Sequence, residues 1–187
     1  TTPTPTEHDV QDYLTGQEIP DAGAEANRQA VARYLVEHKG YRKAAILRDA
    51  PLEIDVAGEA YRSRIDLLVM AGQPPRPFMA VKCAPGSLGS CEREIVSAAR
   101  IYGTDQIPLA VVSDGRDAIV LDTVSGRRSA DQMAAIPDAR EAERQMAAHT
   151  PIPYPPERLE REKRIFRTYD RENIHIARPK KSRRGSR

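Results

Sequence analysis

The stretch FMAVKCAPGSLGS, residues 78–90, decides how the chain is read. It opens as a short apolar run of strand type, carries Lys82 inside that run, and ends in a glycine- and serine-containing turn that leads into a helical pattern. A strand followed by a turn and a helix is the first half of a crossover unit, and the second half follows. IPLAVVSDG is apolar, rich in β-branched residues and short, as expected of a strand buried on both faces. The spacing predicts a helix over 88–102 between the two, with Ile95, Ala98, Ala99 and Tyr102 on one face. A strand–helix–strand connection of this length implies a right-handed crossover and one parallel pair.

Working outward, RDAIVLDTVSG reads as a further strand reached through an Asp-Gly turn. On the other side, strands are expected near 44–54 and 60–70, with AGQPPRP as the turn before the strand at 78–84. A first helix begins near Asp21 as its cap, carries Ala26, Ala30, Val31, Tyr34, Leu35 and His38 at helical spacing, and stops at Gly40. The order is helix, three-strand meander, helix, two strands. That is an α/β fold with a mixed central β-sheet flanked by helices.

Three segments follow from composition. Residues 1–20, opening with TTPTPTEHD, are expected to be disordered; 21–150 form the domain; 151–187 hold a proline linker, a charged amphipathic helix and a basic tail. The apolar members of that helix are Leu159, Ile165, Phe166 and Tyr169, and a further helix is expected from about Pro137. The chain opens at Thr1 without Met, which fits a fragment or a processed piece. Residues 151–187 carry 12 Lys and Arg against 5 Asp and Glu, leaving 17 against 22 in the rest. A basic end on a mildly acidic body points to a polyanion partner, nucleic acid first; a solvated tail is the alternative.

No apolar run reaches membrane-spanning length and no secretion signal is present, so a cytoplasmic protein with no membrane is expected. Cys83 and Cys91, the two cysteines, fit no zinc ligand set. Reduced thiols are the main reading, and a Cys83–Cys91 redox pair the alternative. APGSLGS lacks the spacing of a nucleotide-binding phosphate loop, and the histidines (His8, His38, His149, His175) are too scattered for a Ser/His hydrolase or a His-rich metal site.

Chemistry gathers on the strands. By alternation, Arg62, Arg64, Asp66 and Leu68 share one face of their strand, and Phe78, Ala80 and Lys82 share one face of the next. A hairpin brings Asp66 and Lys82 to adjacent positions. A buried Asp and a buried Lys are costly unless paired or metal-bound, and a structural ion pair is the plain reading.

The pattern ANRQAVARYLVEHKGYRKAAI, YRSRIDLLVM, FMAVKCAPGS and IPLAVVSDGRDAIVLDTVSG resembles the PD-(D/E)xK nuclease superfamily. More narrowly, it resembles the N-terminal nuclease domain of type I restriction enzyme R proteins, over about residues 25–126. The resemblance implies a restriction-endonuclease-like core, Mg2+ or Mn2+ as cofactor, and nucleic acid, with DNA expected, as partner, alone or in a larger restriction or defence complex. It assigns Asp66 to the metal, Lys82 to catalysis and Glu25 to the acid of the first helix. Arg62, Arg64 and Gln29 are candidates for contacting nucleic acid. The acid expected two residues before the lysine falls on Ala80. Three explanations stay open: a Glu from the following helix replaces it, with Glu94 at twelve residues beyond Lys82 preferred over Glu92; the domain is a non-catalytic nucleic-acid-binding or assembly module; or Ala80 is an inactivating substitution. Oligomeric state is not legible.

Overall fold

The computed structural model describes residues 9–177. A hairpin of β1 (Asp9–Gln11) and β2 (Glu18–Pro20) leads to α1 (Glu25–Glu37). Then come β3 (Ile46–Val56), β4 (Glu59–Ala71), β5 (Arg76–Cys83), α2 (Glu92–Ile101), β6 (Leu109–Ser113), β7 (Ala118–Asp122) and β8 (Arg128–Ala130). Helices α3 (Ala139–Ala148) and α4 (Pro156–Ala177) close the described chain.

The sheet order is β3-β4-β5-β6-β7-β8. All neighbours are antiparallel except β5 and β6, which α2 joins in parallel from Met79 opposite Leu109 to Cys83 opposite Ser113. The expected mixed sheet between helices is therefore present, with the short β8 added. One face packs under α2 and α4 through Ile95, Ala98, Ala99 and Phe166. The other packs under α1 and α3 through Val31, Leu35, Ala142 and Met146. No helix among the described residues is long and apolar enough to cross a membrane.

Gly115, in the turn between β6 and β7, explains how closely α1 approaches. Its φ is +88°, and a Cβ there would sit 2.6 Å from that of Ala30. Only glycine meets both demands cheaply. Asn27 Nδ2 also donates to the Ala84 carbonyl at 2.7 Å, tying α1 to the end of β5.

Strict alternation fails at two places. Val69 pairs with Met79 while Met70 pairs with Pro77, so Phe78 is an extra residue in the β4–β5 ladder. Phe78 consequently packs with Met79 and Val81 on the α1 side, whereas Ala80 packs on the α2 side. Phe78 and Ala80 do not share a core face. On β4, Ile65 packs with Ala50, Leu52 and Leu68, while Leu67 and Val69 belong to the opposite core. The exchange coincides with a gap in the β3–β4 ladder, which pairs Arg48 with Leu67 and Ala50 with Ile65 and skips Asp49 and Asp66. Asp49 holds a left-handed φ of +51° there, a conformation Asp tolerates better than most residues.

The ends also depart from expectation. Asp21 does not cap α1, whose N-cap is Ala24 with no side-chain cap bond. Asp138 caps α3, accepting from the Glu141 N–H. Within 1–20, residues 9–20 form a hairpin rather than a disordered lead: buried Asp12 accepts from Thr15 and Gln29 and pairs with Arg48 at 3.0 Å. Residues 1–8 and the basic end 178–187 lie outside the described residues.

Candidate functional site

A cleft of about 530 Å³ opens beside the interrupted ladder, between the loop entering α1, strands β4 and β5, and α4. Asp66, Lys82, Asp170 and Asn173 line it, with Arg62 and Arg64 on its rim. Asp66 and Lys82 reach it because both lie where the sheet ladders part. Asp66 Oδ2 accepts the Cys83 backbone N–H at 2.7 Å, a bond that replaces a ladder contact and fixes the carboxylate.

Lys82 Nζ lies 2.7 Å from Glu94 Oε1. Glu94, on the first turn of α2, is 3 % exposed. Its other oxygen accepts from Asn173 Nδ2 of α4. Burial disfavours the charged form of Lys82, but the carboxylates of Asp66, Glu94 and Asp170 outweigh it and hold the ammonium protonated above its ordinary value. For Glu94, burial outweighs the pull of Lys82 and Asn173 and raises its pKa. Asp170 is buried as well, and accepts from Tyr61 Oη at 2.5 Å and Ser63 Oγ at 3.0 Å. Lys82 thus sits among acids drawn from three elements, β4, α2 and α4.

The other expected residues are distributed differently. Ala80 is 0 % exposed and belongs to the core beneath α2, with Leu68 and Ala110 as ladder neighbours. It does not line the cleft. Glu25 and Gln29 belong to a separate ionic network. Glu25 pairs with Arg28 and accepts from Gln29 Nε2 at 2.6 Å, with Arg48 at 3.6 Å. Asp49 extends that network to Arg28, Arg48 and Arg64 at 2.8, 2.9 and 3.2 Å. Arg62 pairs with Glu53 at 3.3 Å on the exposed side of the strands. Cys83 and Cys91 are buried and not joined in a disulfide, and burial pushes both thiols up. Neither is a reactive thiolate.

Asp170 and Asn173 went unrecognised in the sequence. The signal was present: Leu159, Glu162, Phe166, Asp170 and Asn173 follow one another at spacings of three and four along α4. Polar residues on the stripe that carries Leu159 and Phe166 are residues the fold buries.

The carboxylates that line the cleft are those of Asp66 and Asp170, oxygen donors of the kind that suits a hard cation. Magnesium takes one or two carboxylates and completes its shell with water and substrate oxygens. Asp66 lines the cleft, whereas Glu94 lies buried behind Lys82 with both oxygens engaged, and would join such a shell on releasing Lys82 or Asn173. Among the described residues no group of three or more His, Cys, Asp and Glu side chains could hold a metal ion, so an all-protein cage does not fit.

A family model described as the type I restriction enzyme R protein N terminus matches residues 23–137, more than half of the chain. No curated protein and no solved structure matches. The matched span contains Asp66, Lys82 and Glu94; α3 and α4 lie beyond it.

Proposed function

The chain belongs to the family of type I restriction enzyme R protein N termini, and from that premise we propose that its cleft is a nuclease site that hydrolyses the phosphodiester backbone of nucleic acid, with DNA the expected substrate. A restriction-endonuclease-like arrangement of the core is part of this proposal. The observation that carries it is the approach of buried Glu94, at 2.7 Å, to Lys82, which lines the cleft together with Asp66. A site one acid short at Ala80 gains a second carboxylate from the following helix.

Asp66 and Glu94 are the residues that would hold Mg2+ or Mn2+. Such an ion, when bound, polarises a phosphoryl oxygen and acidifies water. Lys82 supplies a fixed positive charge, kept protonated by the acids around it, to the charge that develops on the phosphate. Arg62 and Arg64 stand exposed on the rim, where guanidinium groups suit the flanking phosphates.

One observation favours a second reading, a non-catalytic nucleic-acid-binding or assembly module within a larger restriction or defence complex. Both Glu94 oxygens are engaged, one by Lys82 and one by Asn173.

Incubating circular and linear DNA with Mg2+ or Mn2+ separates the two. Cleavage by the parent that is lost in Asp66→Asn and Lys82→Met, with Mn2+ affinity reduced in Asp66→Asn and Glu94→Gln, supports hydrolysis. DNA binding with no cleavage overturns hydrolysis in favour of the module. Unchanged Mn2+ affinity in Glu94→Gln removes Glu94 from the site.

A further inference from the structure

A second cleft, of about 450 Å³, lies where the N-terminal half of α4 crosses α2. Four arginines line it: Arg93 and Arg100 from α2, and Arg158 and Arg161 from α4. The one acid lining it is Glu162, and that carboxylate is already saturated. It accepts from Arg93 at 2.9 and 3.1 Å, Ser97 at 2.8 Å, Tyr154 at 2.8 Å and Arg100 at 3.2 Å. Arg100 further donates to the carbonyls of Thr123 and Val124. Arg158 and Arg161 are exposed and form no ion pair among the described residues.

The arrangement divides the four arginines by task. Arg93 and Arg100 hold α4 against α2 through Glu162. Arg158 and Arg161 leave their guanidinium groups to solvent, three residues apart on one helix, where like charges repel. The cleft's formal charge, four arginines against one glutamate, is positive. The N-terminus of α4, beginning at Pro156, adds positive potential to the same end. A concave, positively charged surface with unused planar donors matches phosphate groups.

We propose that this cleft docks the phosphate backbone of nucleic acid, independently of the Asp66–Lys82 cleft. The choice of nucleic acid among polyanions rests on the functional reading above. Arg158 and Arg161 precede Asp170 by twelve and nine residues on α4, about 14–18 Å along a helix axis. At about 100° per residue those positions lie about 120° and 180° around α4 from Asp170, so the arginine cleft is a backbone dock on a different side of the helix from the Asp66–Lys82 cleft. The surface grips the backbone without reading bases.

The test is binding of a fluorescent duplex to the full chain by anisotropy, with divalent ions chelated, between about 50 and about 200 mM salt. Arg158→Ala/Arg161→Ala weakens binding by tens of fold near 0.1 M salt and lowers the slope of log K against log salt by about 1.8, the share of two phosphate contacts. Arg158→Lys/Arg161→Lys keeps most of that slope, and circular dichroism matches the parent in both. A parent that binds while the double alanine variant keeps its affinity and slope overturns the docking cleft alone. A parent that binds no nucleic acid overturns the docking cleft and the functional reading together.

Discussion

Lys82 and Glu94, twelve residues apart in sequence and on different elements, meet at 2.7 Å with Glu94 almost wholly buried. The contact is placed by β5 and α2 and locked by Asn173 of α4. It joins the residue most conspicuous in the sequence to an acid that only the fold brings to it.

That pair makes a double-mutant cycle informative. Lys82→Met leaves a buried carboxylate without its counter-charge and destabilises the chain by about 3 kcal/mol. Adding Glu94→Gln recovers a large part of the loss, because the uncompensated charge is gone. Urea unfolding of the four proteins reads the coupling; additive losses would mean that Lys82 and Glu94 do not sense each other.

Ala80→Glu is not a repair of the site. Position 80 is sealed in the core beneath α2, so a glutamate there both overpacks and buries a charge, costing about 3 kcal/mol or more. Thermal unfolding measures it. A variant as stable as the parent would show that position 80 opens to solvent, and would restore it as a candidate for the acid.

Glu162 gives the acid limb of stability. Burial raises its pKa, and the bonds from Arg93, Ser97 and Tyr154 outweigh that, so the folded-state value lies below the ordinary 4.5. The unfolded chain therefore takes up the proton first as pH falls. The contribution is complete above about pH 4.5 and is lost on descent through the folded-state value. Glu162→Gln should be less stable at pH 7 and flatter in its pH dependence below 4.5 than the parent. Parallel curves for the two proteins would rule this out.

Gly115→Ala tests the seating of α1. The left-handed backbone and the 2.6 Å approach to Ala30 together predict a loss of about 2–3 kcal/mol. Hydrogen exchange should rise first in α1. Protection unchanged in α1 would show that the turn between β6 and β7 yields instead.

Much of the frame was legible because period and punctuation are local. The run at 78–84, the helical spacing of Ile95, Ala98 and Ala99, and the Asp-Gly turn at 114–115 each report burial or turning within one element. Short connections then limit the order in which strands can pair. Those signals sufficed for a mixed sheet between helices, for its parallel pair, and for placing Asp66 and Lys82 side by side.

What the tertiary structure alone decided lies at longer range. Alternation could not foresee that Phe78 is an extra residue in its ladder, or that β3 and β4 exchange faces at Asp49 and Asp66. Charge type could not tell that Glu25 is spent on Arg28 and Gln29 while Glu94 reaches Lys82. Nor could it tell that a helix 79 residues beyond Glu94 supplies Asn173 to it. Sequence periodicity records which side of an element is buried. Which element buries it, and which charge it meets there, is set by how helices cross the sheet, and that crossing has no local signature.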